Sequence, residues 1–394
     1  MYIIRNVAQK PTIFLGLASE GMGHATRART LINQLKSNYE VHVFCGGRVY
    51  DYLVQHHPHV YPISYVALQY RDNQFKLLSS IWKNLRVVPG LFRSIFKVAR
   101  MAKRLDPVVF ISDFDCITSW ASMLCGKKVI AIDNQHVHPY ASFPVADGDK
   151  TAARMLKYIC HFNVPIKHRV LVSSFFQPKL KAGINRKKVR YVPTSVRQEV
   201  LQRKAMVKNT GPVLVYQTSE SNEALHETLS NAVAQSELSF AVYGTGQEGE
   251  RQNGRIQYKS FDEDSFLNDM AQAPFVMVNG GHSTICEALS LGKPILAEPI
   301  GEQYEQIFNV EALTEMGVGM GVRKLDTQDI LHFSRCVPLM QKRAEHLNVV
   351  DNEGLLAQLH GCIHELNPAK APNTTHLGHS PVLRPNNLVK GKLA

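Results

Sequence analysis

Short β-rich apolar runs alternate with amphipathic helical stretches along most of this chain, and that alternation admits few architectures. Strands are predicted at 12–17, 40–45, 108–112 and 129–133, with helices at 24–35, 50–55 and 116–125 between them. A strand that returns parallel to its predecessor through a helix makes a βαβ unit, whose sheet is covered on both faces. The pattern stops in the polar stretch Val196-Arg-Gln-Glu-Val-Leu-Gln-Arg-Lys, passes Asn209-Thr-Gly-Pro, and restarts. Strands at 213–216, 239–243, 275–278 and 294–297, with helices at 223–234 and 283–291, form the second series. The expected fold class is α/β, two doubly wound Rossmann-like units facing each other across a cleft. Their extents are 1–195 and 212–367, with a linker at 196–211 and a Pro- and Asn-rich disordered tail at 368–394.

Length agrees with two units, since 394 residues exceed one ordinary domain of about 100–200. The seven cysteines include no CxxC pair, which excludes a disulfide framework or zinc knuckle and points to a reducing compartment. No stretch approaches the roughly 20 apolar residues needed to span a bilayer. The apolar run at 13–18, after Arg5 and Lys10, is too short for a secretory signal and leads straight into a glycine loop. The expected location is cytoplasmic. The His56-His57-Pro58-His59 group has no Cys or carboxylate at ligand spacing, so it reads as a solvated loop and no metal site is assigned.

In open parallel sheets ligands bind beyond the carboxyl ends of the strands, and the chemistry-bearing residues fall there. In the second half, the strand Val276-Met-Val ends in Asn279-Gly280-Gly281-His282-Ser283-Thr284, followed by Glu287 and, after another strand, Glu305-Gln306. Two glycines permit close backbone approach, and the free amides of a helix opened by Ser283 and Thr284 suit a phosphate. Glu287, one turn on, is placed to reach a ribose diol. In the first half, Gly21-Met22-Gly23-His24 puts an imidazole at the end of the first strand's loop, where it can serve as a general base near neutral pH. The segment Ile111-Ser-Asp113-Phe-Asp115 ends another strand with two carboxylates.

The run from Phe275 to Asn309 resembles the nucleotide-sugar signature of GT-B glycosyltransferases, the group that includes families 1 and 28. The resemblance implies that Gly280, Gly281, Ser283 and Thr284 contact the diphosphate of a UDP-sugar, Glu287 the ribose, and Glu305 with Gln306 the sugar hydroxyls. The loops Gln217-Thr218-Ser219 and Gly244-Thr245-Gly246 are similar to loops near the nucleotide in that fold, with Ser219 and Gly244 as donor contacts, and Phe261 is placed near the uracil. The segment around Asp113 is similar to the one in which an Asp orients the catalytic His, which makes His24 and Asp113 the implied dyad, Asp115 the fallback, and Gly21 and Gly23 the acceptor loop. The chain departs from many family 1 members in having Asn279 where they have His and His282 where they have Trp. The implied activity is hexosyl transfer with inversion onto the hydroxyl of a small-molecule or lipid acceptor, with no cofactor and no metal required. A UDP-sugar 2-epimerase on the same fold, and a non-catalytic nucleotide-sugar-sensing or membrane-associated protein, are the alternatives.

Charge adds one more feature. The chain has 45 Lys+Arg against 33 Asp+Glu, and between Phe75 and Arg104 it has eight bases and no acid. Arg93, Lys97, Arg100 and Arg104 recur at helical spacing beside Phe92, Ile95, Phe96 and Ala99. Such a helix either packs on the first sheet with its bases in water or lies on the anionic inner face of a membrane. Asn134-Gln135-His136, after the strand ending at Asp133, is a further candidate for touching the acceptor. No RNA-binding signature or zinc-finger spacing accompanies the bases, so no nucleic-acid partner is expected.

Overall fold

Six successive residues from Thr12 to Leu17 (β1) are buried, because this strand runs through the middle of a sheet with helices on both faces. The computed structural model describes residues 10–19, 21–65, 70–71, 74–75, 86–217, 223–251, 254–301 and 303–369. With Glu40–Cys45 (β2), Val60–Pro62 (β3), Val109–Asp113 (β6), Val129–Asp133 (β7), Arg169–Ser173 (β8) and Val189–Val192 (β9), β1 forms a seven-stranded parallel sheet in the order β3-β2-β1-β6-β7-β8-β9. Tyr70–Arg71 (β4) and Gln74–Phe75 (β5) pair separately as an antiparallel ribbon.

The second sheet comprises Val213–Tyr216 (β10), Phe240–Tyr243 (β11), Gly249–Arg251 (β12), Ile256–Lys259 (β13), Val276–Val278 (β14), Ile295–Ala297 (β15) and Gly319–Gly321 (β16). Its order is β12-β13-β11-β10-β14-β15-β16, parallel except for the β12 edge. In each sheet the first strand of the series has its successors on both sides, β2 and β6 around β1, β11 and β14 around β10. The helical connections therefore diverge there and open a crevice at the carboxyl ends of the strands.

One apolar cluster runs through both halves, joining Phe14 and Phe110 of the first sheet to Leu214, Val276 and Phe308 of the second half. Phe308, on the helix Tyr304–Met316, meets Phe143 at 4.5 Å and Phe176 at 6.0 Å between ring centroids. The stretch predicted as a polar linker contains a short helix, Gln198–Gln202, and buries Val196, Arg197 and Val200. The second unit was expected to run to residue 367, yet the helix Asn352–Leu366 inside that range crosses back. Its Leu355, Leu359 and Ile363 join the core of the first sheet, and Tyr39 stacks on His360. The amphipathic face of this helix is buried where the first sheet lacks cover, and Asn352 ties the return to Val196 by two hydrogen bonds of 2.8 and 3.0 Å.

A candidate active site between two crevices

The loop after β1 turns at Gly21, whose φ of +85° is open to glycine, and delivers His24 in the first turn of the helix Met22–Leu35. Asp113 ends the neighbouring β6, in register with Leu17. His24 Nδ1 stands 3.1 Å from Asp113 Oδ1 and 3.2 Å from Arg27 Nη2; the carboxylate is the stronger partner, so the ring proton is assigned to Nδ1, which donates to Asp113 and leaves Nε2 as the acceptor. Arg27, three residues along the same helix face, donates to that same oxygen at 2.6 Å. Burial raises the pKa of Asp113, but the charges and hydrogen bonds of Arg27 and His24 prevail and hold it well below the usual carboxylate range. The carboxylate is therefore ionised at every working pH.

The two carboxylates of this segment go separate ways because Phe114 between them is left-handed, with φ of +57°. A bulky residue there carries strain of order 1–3 kcal/mol, and the fold braces it: Asn163 donates to the Phe114 carbonyl at 3.1 Å, and Ser112 and Ser119 hold the backbone of Asp115. Asp115 caps the helix Cys116–Leu124, accepting from the amides of Ile117 and Thr118, and is turned away from His24. Burial pushes it up to about 6 against those hydrogen bonds.

In the second crevice, Gly280 has φ of +97°, and an added Cβ would lie 2.8 Å from Val310 Cγ2, so only glycine fits beneath the loop. Gly281 faces open space and begins the helix His282–Ser290 without a side-chain cap, which leaves its first amides available. Asn279 donates to Gln217 at 3.0 Å and Asn309 to the Gly280 carbonyl at 3.0 Å, so both asparagines shape the loop. His282 is buried, and its pKa is driven well below the usual value by burial and then by Arg27 and His24; it is a neutral ring. Gly244 follows β11 with φ of +84°, where a Cβ would fall on the carbonyl of Gln217. Gly244→Ala is expected to cost more than about 2 kcal/mol in urea unfolding, and Gly246→Ala, also left-handed but with nothing near, only about 1 kcal/mol. Ser219 lies outside the described residues. Phe261 is half exposed, its ring 6.1 Å from Tyr216 and 5.3 Å from Phe266.

The two crevices oppose each other closely: a Cβ on Gly23 would sit 2.5 Å from Ser283 Oγ. Glu305 reaches across to the first half, accepting from Gln135 at 2.9 Å and Asn134 at 3.5 Å, and burial raises its pKa against the influence of His24. Gln306 turns its side-chain oxygen to the amide of Ile300 at 3.0 Å, which pins the preceding loop. Thr284 stands half-buried in the first turn of its helix. Glu287 is enclosed: Arg197 grips its carboxylate with two bonds, 2.7 and 2.9 Å. Just beyond β7, the strand beside the one that Asp113 ends, His136 Nδ1 bonds both oxygens of Asp133 at 2.8 and 2.7 Å, both side chains fully buried. Arg27 and Arg197 are the site residues that sequence reasoning did not single out. His56 and His57 bond backbone carbonyls, and among the described residues no group of three or more His, Cys, Asp or Glu is placed to hold a metal ion.

The fold is similar to solved structures at low sequence identity. The glycotransferase of kitacinnamycin matches with a TM-score of 0.64 at 14% identity, over 91% of this chain and 100% of that one. A UDP-glucosyltransferase from Polygonum tinctorium matches with 0.63 at 13%, over 91% and 99%. A Listeria monocytogenes protein described as a UDP-N-acetylglucosamine 2-epimerase matches with 0.58 at 12%, over 92% and 99%. Comparison with curated protein sequences finds no match. Two doubly wound sheets with their crevices opposed define the GT-B architecture of glycosyltransferases. The chain belongs to glycosyl transferase family 1, whose model matches residues 11–338, and it is a sugar-transferring enzyme.

Proposed function

We propose that the protein transfers a sugar from a UDP-sugar to an acceptor hydroxyl with inversion at the anomeric carbon. The observation that carries this reading is the His24–Asp113 pair standing directly against the glycine loop and open helix start at 280–284. His24 Nε2 takes the proton from the acceptor hydroxyl as its oxygen bonds to the anomeric carbon. The bond from that carbon to the diphosphate breaks on the opposite side, and UDP leaves with the electron pair. Asp113 holds the tautomer and offsets the charge of the imidazolium. The amides at the start of His282–Ser290 face the developing diphosphate charge, with Ser283 and Thr284 beside them, so no divalent cation is required for that task. Phe261 beside Tyr216 offers an aromatic surface for uracil, and sugar hydroxyls would take the place of Gln135 and Asn134 on Glu305 and meet the amide nitrogen of Gln306.

Calorimetric titration tests the donor: UDP is expected to bind at least tenfold tighter than ADP, about 1.4 kcal/mol. A folded protein that fails to bind UDP would falsify the donor assignment. Incubation with UDP-sugars then separates transfer, which yields UDP and a glycosylated acceptor, from epimerisation, which yields a new UDP-sugar and needs no acceptor.

A further inference from the structure

The first half carries an apolar surface that lies outside the cleft. The helix Val88–Leu105 packs beside Cys116–Leu124, which packs beside Lys150–Asn163, and all three cover the same face of the first sheet through Val98, Ile117 and Ala153. Burying that inner face leaves large apolar side chains outside: Phe92 is 59% exposed, Phe96 61%, Leu124 54%, Tyr158 68% and Phe162 59%. They form one surface. Ala99 lies next to Phe92 and Phe96 on the helical wheel and its carbonyl accepts from Cys125 Sγ at 3.4 Å, so both phenylalanines belong to the side of their helix that borders the second. On that second helix Trp120 donates to the Phe162 carbonyl at 2.9 Å, with the two rings 5.6 Å apart, which closes the seam with the third.

The charge on these helices is one-sided. They carry eight Lys and Arg, five on the first, none on the second and three on the third, and not one Asp or Glu. An apolar patch of this breadth on a water-facing surface is an interaction site, and the sign of its border states what it meets. A second copy of the chain docking by the same face would bring these bases against each other. An anionic bilayer satisfies both features, since the aromatic rings enter the headgroup region while the bases meet phosphate. Among the described residues no helix is long and apolar enough to cross a membrane, so attachment would be by this surface.

We propose that the three-helix face formed by 88–105, 116–124 and 150–163 docks on an anionic phospholipid bilayer and presents the cleft to an acceptor residing there, the last step resting on the transfer reading above. The connection to the cleft is short. The helix that exposes Tyr158 and Phe162 turns Cys160 inward against the Gln135 carbonyl at 3.4 Å, and Gln135 touches Glu305.

The test is co-sedimentation of the full chain with vesicles of phosphatidylcholine alone and of phosphatidylcholine mixed with phosphatidylglycerol. Binding to the mixed vesicles only is expected, weakened by salt and reduced at least about tenfold in Phe92→Ser/Phe96→Ser and in Arg93→Glu/Lys97→Glu. Both variants change exposed positions and should keep the wild-type melting temperature and UDP affinity, so loss of docking is distinguishable from failure of the donor reading. The proposal is overturned by absent binding to mixed vesicles, by equal binding to neutral ones, by binding that the phenylalanine pair does not alter, or by a dimer in sedimentation velocity that Phe92→Ser/Phe96→Ser dissociates.

Discussion

His24→Ala is expected to lower acceptor-dependent UDP release by about 10²–10⁴-fold, with UDP affinity unchanged within about twofold, because a positioned general base contributes that much and does not touch the nucleotide. The loss should lie in kcat. Asp113→Asn should approach the same deficit by a different route. The amide cannot fix the proton on Nδ1 of His24, and it leaves the Arg27 guanidinium, now bonded to Asp113 at 2.6 Å, without its counter-charge. Since Arg27 and His24 hold Asp113 well below the usual carboxylate range, the wild-type pH–rate profile should show no limb from Asp113 above pH of about 4. The corresponding stabilisation is present above the unfolded-state pKa and is lost only as pH falls through the lower, folded one. Stopped-assay measurement of UDP release across pH, with calorimetry on each variant, checks all of this. A His24→Ala protein that transfers at the wild-type rate would remove His24 from the chemistry.

The parts of the fold that could be read in the sequence are those governed by local pattern. The expected strands 12–17, 40–45, 129–133 and 213–216 coincide with β1, β2, β7 and β10, since each is a short, mostly apolar run, His42 being the polar exception inside β2. The parts that could not are settled by distant partners. Arg197 looks like one more base in a polar stretch, and its burial depends on Glu287, 90 residues away. The helix Asn352–Leu366 has an apolar stripe that would suit either sheet, and only the uncovered flank of the first decides between them. Arg27 was within reach, because three residues after His24 on one helix face is a contact distance. The left-handed Phe114 was not, since an aromatic residue gives no local sign of that conformation and only the packed crevice enforces it. The exposed face behind Phe92 and Phe96 was visible in part as a basic amphipathic stretch. Its continuation onto Trp120 and Phe162 required the helices to be seen side by side.

Arg197→Met is expected to destabilise the protein by about 3–5 kcal/mol, the usual consequence of removing one partner from a buried ion pair. Both oxygens of Glu287 are bonded to this one guanidinium, whose remaining nitrogen holds Glu263 at 2.9 Å, and the side chains of Arg197 and Glu287 are only 6% and 5% exposed. Arg29, from the first half, reaches Glu199 and Glu263 in turn, so the network joins the first helix, the linking stretch and the donor helix. Arg197→Met/Glu287→Leu should recover most of the loss, because well-packed apolar residues replace a buried pair at little cost. Urea unfolding of the three proteins checks these expectations, and an unchanged midpoint in Arg197→Met would show that the pair contributes nothing. The double variant also separates the two roles open to Glu287. If the carboxylate holds the ribose, the refolded double variant binds UDP more weakly than wild type although its core is intact. If it binds UDP equally well, Glu287 serves only to fix Arg197, and the ribose contact lies elsewhere in the crevice.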